Sequence, residues 1–571
     1  MIVSRKNRLL GVARSPWLAL AALWLVFELP MAFVPDGFSL GAMRPTGEVL
    51  VLITAYALSL RMGLGRPVRW VLAAFIVALL VVRLDRTLFF GITRSEPLLY
   101  DQMFMVRHFL VLIGDLWSFS FALVFLGVTL GLVALGFLAR TLVRRTAPLF
   151  DGERFRRTAR VGAVAWVIVL VATVVPSDGK RPWVRWMTPE IARNLSESRR
   201  LYRSVQQSLT ASPYAAYDGL HLRRKPDVFV FFVESYGKVM AEQPDMRPIW
   251  VDELEGMESR LSSSGWNMVS GYSTAPVSGS RSWLAVGSIW TGTTLKYEAV
   301  YRQFTLGMDH TPTLVKFFQN QGYDAVHLAP SDRPRPGVTE ENTYGYDQYI
   351  GFEQLDYRGP KMGWGIVPDQ YALGYTEEHF LSRARHPLFF NFHMVSSHAT
   401  WATIPEYVKD WHTLNGTGHA VVDTLKENGA KERLERYSHF VTRYPYMGTL
   451  TATLREAYER SVFYDFRVIE DFLSRRDDNA LVVVMGDHQP PVVSPEMANF
   501  DVPVHVFARD PRLLEEFKTR GFSNGLVLGA DQPAAVQHAG LFSVFVRALA
   551  ECCGDPGTAP PYLPVGVALG S

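Results

Sequence analysis

Asp227-Val-Phe-Val-Phe-Phe-Val-Glu-Ser-Tyr236 and Ala480-Leu-Val-Val-Val-Met-Gly-Asp-His-Gln-Pro490 are two apolar runs of strand length, and each closes on side chains that bind metals. An apolar run without alternation reads as a strand buried on both faces, as in a parallel sheet. Open sheets of this kind place their chemistry outside the carboxyl ends of the strands. Glu234, Asp487 and His488 therefore predict one shared metal site at that edge, with three hard or borderline donors held on rigid elements.

Outward from these runs, apolar stretches of strand length alternate with helical patterns from Lys225 onward, as in βαβ units. Strands are expected at Val228 to Val233, Ala325 to Leu328, Leu388 to His393 and Leu481 to Met485, and helices at Thr313 to Asn320 and Ser461 to Ser474. Thr311-Pro312 reads as the start of the first helix, a capping residue followed by a proline whose missing N–H costs nothing there.

Between the two runs lies Thr274-Ala-Pro-Val-Ser278-Gly-Ser-Arg-Ser-Trp-Leu-Ala-Val-Gly-Ser-Ile-Trp290. Proline and glycine predict a turn and the pattern from Ser280 to Trp290 a helix, so Ser278 is expected at a helix N-terminus, where backbone N–H groups and the dipole favour an anion. A serine hydroxyl is a poor nucleophile by itself, and a divalent cation at its oxygen lowers its pKa. Nucleophile, metal and anion hole then explain one another, as phosphoryl chemistry requires.

The first third of the chain is different. The 571 residues are 48% hydrophobic, with 14 Trp and 35 Phe, and the apolar excess sits before residue 177. About five membrane spans are predicted: Trp17 to Val34, Val49 to Leu60 with extensions, Trp70 to Val82 with extensions, Leu116 to Leu138, and Val161 to Val175. The second and third are short and flanked by Glu48, Arg61, Arg83, Asp85 and Arg86. Arginines and lysine before the first span, between the second and third, and between the fourth and fifth satisfy the positive-inside rule with the large C-terminal region outside, although Arg83 to Arg107 also carries arginines. The first span lacks a small-residue cleavage site and contains Glu28 and Pro30, so it reads as an anchor. Lys180-Arg-Pro-Trp-Val-Arg-Trp-Met187 suits the headgroup layer, and residues 188 to 222 read as a polar helical linker. The predicted organisation is a membrane domain over 1–176, a linker over 177–224, an extracytoplasmic domain over 225–550 and a tail over 551–571.

The net charge of +3, from 58 basic and 55 acidic residues, is too balanced to argue for nucleic acid as a partner. Cys552 and Cys553 are the only cysteines, and being adjacent they offer neither a disulfide framework nor a cysteine metal site.

Val-Glu-Ser at 233 to 235, the Ser278 turn, Ser-Ser-His at 396 to 398 and Gly-Asp-His at 486 to 488 stand in the order found in the lipoteichoic acid synthase and periplasmic glucan phosphoglycerol transferase group. That group belongs to the alkaline phosphatase and sulfatase superfamily, and the resemblance, spans included, covers nearly the whole chain. It implies an α-helical membrane domain followed by an α/β sulfatase-like domain with a mostly parallel sheet. It also implies that Glu234, Asp487 and His488 bind one divalent metal, manganese or magnesium first and zinc possible, with Ser278 at the nucleophile position that the group mostly fills with threonine. His398 matches the histidine that contacts the substrate phosphate. The implied activity moves phosphoglycerol from an anionic membrane phospholipid to an extracytoplasmic glycan or polymer at the plasma (inner) membrane. The group's substrate-binding Trp-x-Arg is replaced by Ser331-Asp-Arg-Pro-Arg335, where Arg333 or Arg335 offers a guanidinium fork. Trp364-Gly-Ile-Val-Pro-Asp369 resembles a mainly structural segment. Phosphoethanolamine transfer, sulfatase-like hydrolysis and a catalytically silent scaffold or lipid sensor stay open as alternatives.

Overall fold

The computed structural model describes residues 15–34, 37–38, 46–105, 119–150, 152–174, 183–207, 214, 217, 219–333, 342–362, 367–399, 401, 403–416, 422–423, 436, 448–491, 493–494, 499–555, 557 and 559–567. The chain forms two compact units, Met1–Gly91 with Glu96–Arg200, and Ile92–Ser95 with Leu201–Ser571.

In the first unit, α1 (Pro16–Ala32), α2 (Gly47–Arg61), α3 (Gly65–Thr93), α4 (Phe119–Thr146) and α5 (Gly152–Val174) stand where the five spans were expected. Among the described residues, three segments are long and apolar enough to cross a membrane, over Gly65–Thr93, Phe125–Phe150 and Arg156–Val174. Three of the five expected spans thus meet that criterion among the described residues. With 17 and 15 residues, α1 and α2 reach about 25 and 22 Å, short of a hydrocarbon core of about 30 Å. The third segment, read as short, is the longest helix of the five at 29 residues. Its charges do not stop it because they are paired: Arg86 bonds Glu96 and Glu190, and Arg83 lies 3.7 Å from Glu28. Glu28 is fully buried and also accepts the Thr46 N–H at 2.7 Å. A last helix of this region, α6 (Met187–Gln207), is the polar, arginine-rich segment read as linker.

The second unit is built on a nine-stranded sheet of β1 (Val228–Val233), β2 (Asn267–Thr274), β3 (Asp324–Leu328), β4 (Gln348–Ile350), β5 (Leu388–Met394), β6 (Leu481–Gly486), β7 (Asp501–Ala508), β8 (Ser523–Asn524) and β9 (Ala534–Gln537). Their order is β8-β2-β7-β6-β1-β5-β3-β4, with β9 beside β2. The pairs β6–β1, β1–β5, β5–β3, β3–β4 and β9–β2 are parallel, and antiparallel pairing is confined to β7 and β8 with their neighbours. The sheet is thus mostly parallel.

Strand residues alternate between two buried faces, as the pleat dictates. Phe229, Phe231 and Val233 pack under α7 (Arg247–Ser263), α10 (Asp369–His379) and α11 (Gly448–Ser474) through Trp250, Tyr371 and Phe472. Val228, Val230 and Phe232 pack under α8 (Ser282–Thr291), α9 (Leu314–Asn320) and α12 (His538–Cys553) through Trp290, Phe318 and Phe545. Both faces are covered, which is why β1 and β6 carry no polar alternation. The cap of α9 is Thr313, whose hydroxyl accepts the Lys316 N–H, and not Thr311. Residues 559–567 bond back to this unit, for example through Pro564, whose carbonyl accepts the Gln537 N–H.

Candidate metal and phosphoryl-transfer site

β1 and β6 lie side by side in parallel with Val233 opposite Gly486, so Glu234 and Asp487 leave the sheet at the same level. Two local features aim them. Ser235 takes the left-handed conformation, with φ of 60°, an uncommon state for a residue with a side chain and one that recurs at functional sites. Gly486 has no room for a side chain, since a Cβ there would stand 1.9 Å from the Tyr236 carbonyl oxygen.

The donor atoms of Glu234, Asp487 and His488 all lie within 4.8 Å of one another, and the three residues are buried. Two ligands about 2.1 Å from one cation can be at most about 4.2 Å apart, so little closure is needed. His488 Nε2 stands 3.5 Å from Glu234 and 3.5 Å from Asp487. Its Nδ1 lies 2.9 Å from the Gln489 carbonyl, a contact that puts the proton on Nδ1 and leaves Nε2 with a lone pair for a metal. Asp487 Oδ1 accepts the N–H groups of Ser235 at 2.7 Å and His488 at 2.8 Å, while Oδ2 is buried without a hydrogen-bond partner among the described residues. Burial and the neighbouring Glu234 push the Asp487 carboxyl above the usual range. At Glu234 burial is outweighed by His488 and His398, which hold its carboxyl low. An orphaned carboxylate oxygen, two carboxyls in mutual repulsion and an imidazole lone pair fit a divalent cation.

Behind the ligands, His538 at the start of α12 is 3.1 Å from the Asp487 carbonyl through Nε2 and 2.8 Å from the Ser273 hydroxyl through Nδ1. Burial pushes its pKa down to about 4, so it is neutral and structural.

Ser278 is buried, and no hydrogen-bond partner of its hydroxyl occurs among the described residues. The next residue ties its turn to the ligand segment: Gly279, at φ of 71°, donates its N–H to the Gln489 carbonyl at 2.9 Å. The helix begins at Ser282, preceded by left-handed Arg281 with φ of 68°, so Ser278 lies four residues ahead of α8 and not in its first turn. It is Ser282 whose hydroxyl enters the cluster, 3.0 Å from Glu234 and 3.3 Å from His488.

His398 follows β5 in a turn that Asp369 holds, accepting the N–H groups of Val395 at 2.9 Å and Ser396 at 2.7 Å. It is near enough for its charge to act on Glu234 and on His393. His393, at the end of β5, stands 3.9 Å from Glu234, and its Nε2 is buried without a hydrogen-bond partner among the described residues. Burial pushes it toward the neutral form. Neither Ser282 nor His393 was expected in the site. His393 satisfies the rule that found Glu234, a polar residue closing an apolar strand, whereas Ser282 carries no such signal. Arg333 is exposed, with its guanidinium 5.8 Å from the Phe352 ring, and no described contact joins it to the ligands. Arg335 lies outside the described residues.

Asp369 and Asp465 of α11 are both buried and act on each other electrostatically, and both Asp465 carboxyl oxygens are without a hydrogen-bond partner among the described residues. Burial lifts the Asp369 carboxyl to about 6, and burial together with Asp369 lifts Asp465 well above its ordinary value. Raised carboxyls stabilise the fold fully below the unfolded value of about 4, and that contribution is lost as pH rises through the folded one. Asp465→Asn is therefore expected to flatten the fall of melting temperature that sets in above about pH 4, as read by thermal unfolding of the full chain in detergent at a series of pH values. An unchanged slope would rule out titration of this pair.

A family model described as Sulfatase matches residues 226–519. Among curated proteins nothing matches the chain. Similar solved structures include the lipoteichoic acid synthase LtaP from Listeria monocytogenes (13% identity, 52% of this chain and 71% of that one, TM-score 0.34). The periplasmic domain of EcEptC from Escherichia coli in complex with Zn has 12% identity over 56% of this chain and 81% of that one, at TM-score 0.33. The Streptococcus pyogenes phosphoglycerol transferase GacH in complex with sn-glycerol-1-phosphate has 12% identity over 61% of this chain and 78% of that one, also at 0.33. All three scores fall below 0.5, so the family rests on the matched model.

Proposed function

Because the chain belongs to the sulfatase family, we propose that it is a metal-dependent, membrane-anchored phosphotransferase that moves a phosphoglyceryl group from an anionic phospholipid to an extracytoplasmic glycan or polymer through a covalent intermediate on Ser278. The observation that carries this reading is the buried convergence of Glu234, Asp487 and His488 beside the Ser278 turn. When bound there, a divalent cation would neutralise phosphate charge and make the serine hydroxyl more acidic. The donor set suits manganese or magnesium through its carboxylates and zinc through its imidazole.

The chain's own groups account for the rest. Ser278 Oγ gives up its proton and forms a bond to phosphorus while the bond from phosphorus to the diacylglycerol oxygen breaks, and the departing oxygen takes up one proton in exchange. His398 contacts the phosphate and, on this reading, delivers that proton. An acceptor hydroxyl then forms its own bond to phosphorus, loses its proton, and frees Ser278. The start of α8 beside the ligands supplies backbone N–H groups for the phosphate oxygens. The three candidate spans would keep the domain at the outer face of the plasma membrane, where a lipid donor is at high effective concentration and nucleic acid plays no part.

Mass spectrometry of the full chain purified from membranes, after exposure to phosphatidylglycerol, tests this reading. A phosphoglyceryl adduct on Ser278 is expected. A phosphoethanolamine mass would assign the donor differently, and absence of any adduct together with unaltered activity in Ser278→Ala would leave a scaffold.

A further inference from the structure

α12 ends on the adjacent pair Cys552 and Cys553, both free, the first half-buried and the second buried. Their sulfurs lie 2.6 Å apart with Cys553 donating toward Cys552. The guanidinium of Arg224 covers both, with Nη2 3.1 Å from Cys552 Sγ and 3.5 Å from Cys553 Sγ, and it also reaches Asp510 at 3.3 Å. Asp510 in turn is bound by Arg512.

From this geometry we propose that Cys552 and Cys553 form a redox site that exchanges with external disulfides. The accessible Cys552 attacks first. Its thiolate bonds to one sulfur of a disulfide RSSR and expels RS⁻. The Cys553 thiol, already in contact, loses its proton, bonds to Cys552 Sγ and expels the second RS⁻. Two electrons pass from the protein to RSSR, which leaves as two RSH. A donated hydrogen bond and an adjacent cation are the features that turn a thiol into a nucleophile, and here the bond from Cys553, with Arg224 beside it, lowers the Cys552 pKa to about 7, while that same bond, burial and the Cys552 charge raise Cys553.

The ring so formed joins neighbouring residues whose Cα atoms are about 3.8 Å apart, below the roughly 4.4 Å at which disulfides usually begin. Such a bond is strained and readily reduced again, as suits a reversible site and not a structural brace. It would also rework the end of α12. There the Cys553 carbonyl accepts the N–H groups of Arg223 at 2.8 Å and Arg224 at 3.1 Å, just ahead of β1.

The test uses the reduced full chain in detergent and dithiobis(nitrobenzoate) as the disulfide. Wild type is expected to release two thionitrobenzoates, retain no adduct and lose two hydrogens in mass. Cys553→Ser should release one and keep the adduct, and Cys552→Ser should react about tenfold more slowly near pH 7. Arg224→Met should move the midpoint of the pH–rate profile upward. The wild-type protein alone decides the matter even where a variant folds poorly. A midpoint at or above the free-thiol value of about 8.5, a retained adduct in wild type, or equal rates in Cys552→Ser and wild type would each overturn the proposal.

Discussion

Asp487→Asn is expected to lower turnover about a thousandfold or more while leaving the fold intact. Oδ1 holds two backbone N–H groups, from Ser235 and His488, and the asparagine carbonyl can keep both. Oδ2 is the atom without a partner, and replacing it with an amide NH2 puts a donor where a cation needs a lone pair. Loss of metal chemistry on phosphoryl oxygens is worth several kcal/mol, or about three powers of ten in rate. The same change removes a buried like-charge contact with Glu234, which burial already makes costly. The metal-free variant should therefore melt no lower than metal-free wild type. Release of diacylglycerol from phosphatidylglycerol vesicles, metal content per protein and thermal unfolding check the three parts together. Wild-type turnover with an unchanged metal ratio would remove Asp487 from the site, whereas lost activity with lost folding would assign it a structural role.

How much of this was legible in the sequence follows from how each segment meets solvent. β1, β5 and β6 were read to within a residue or two because strands covered on both faces need no polar positions. β2 and β7 were missed for the opposite reason. Asn-Met-Val-Ser-Gly-Tyr-Ser-Thr is too polar to look buried, and Pro503 argues against a strand with neighbours on both sides. In the fold that polarity is consumed internally, since Ser270 bonds His505 at 2.7 Å and Ser273 bonds His538. The third apolar segment reads as short, Trp70 to Val82 with extensions, because ion pairing between distant residues leaves no local trace. The metal triad was readable because its ligands sit at strand ends. Ser282 was not, because its place depends on where α8 starts, and the left-handed Arg281 moves that start two residues past the expected Ser280. Arg333 was singled out by proximity to a family motif, and its side chain turns to Phe352 instead.

Which serine carries the covalent step is decided by comparing Ser278→Ala with Ser282→Ala. Ser282 spends its hydroxyl proton on Glu234 at 3.0 Å, so it acts as a support that orients a ligand carboxylate. Removing one such hydrogen bond costs about 1 kcal/mol and so about five- to tenfold in rate. Ser278 has no described partner to give up, and its turn is pinned to the ligand segment through Gly279 and Gln489. Truncating a nucleophile removes the covalent pathway itself. Ser278→Ala should then lose about a thousandfold or more in turnover and all trapped adduct, with metal content unchanged. Ser278→Thr, which restores a hydroxyl at the same backbone position, should recover much of the activity. Single-turnover labelling with a phosphatidylglycerol labelled in its terminal glycerol, followed by peptide mapping, reads the outcome. An adduct on Ser282, or label trapped undiminished in Ser278→Ala, would transfer the nucleophile's role to the first residue of α8, where the helix N-terminus and the metal ligands already meet.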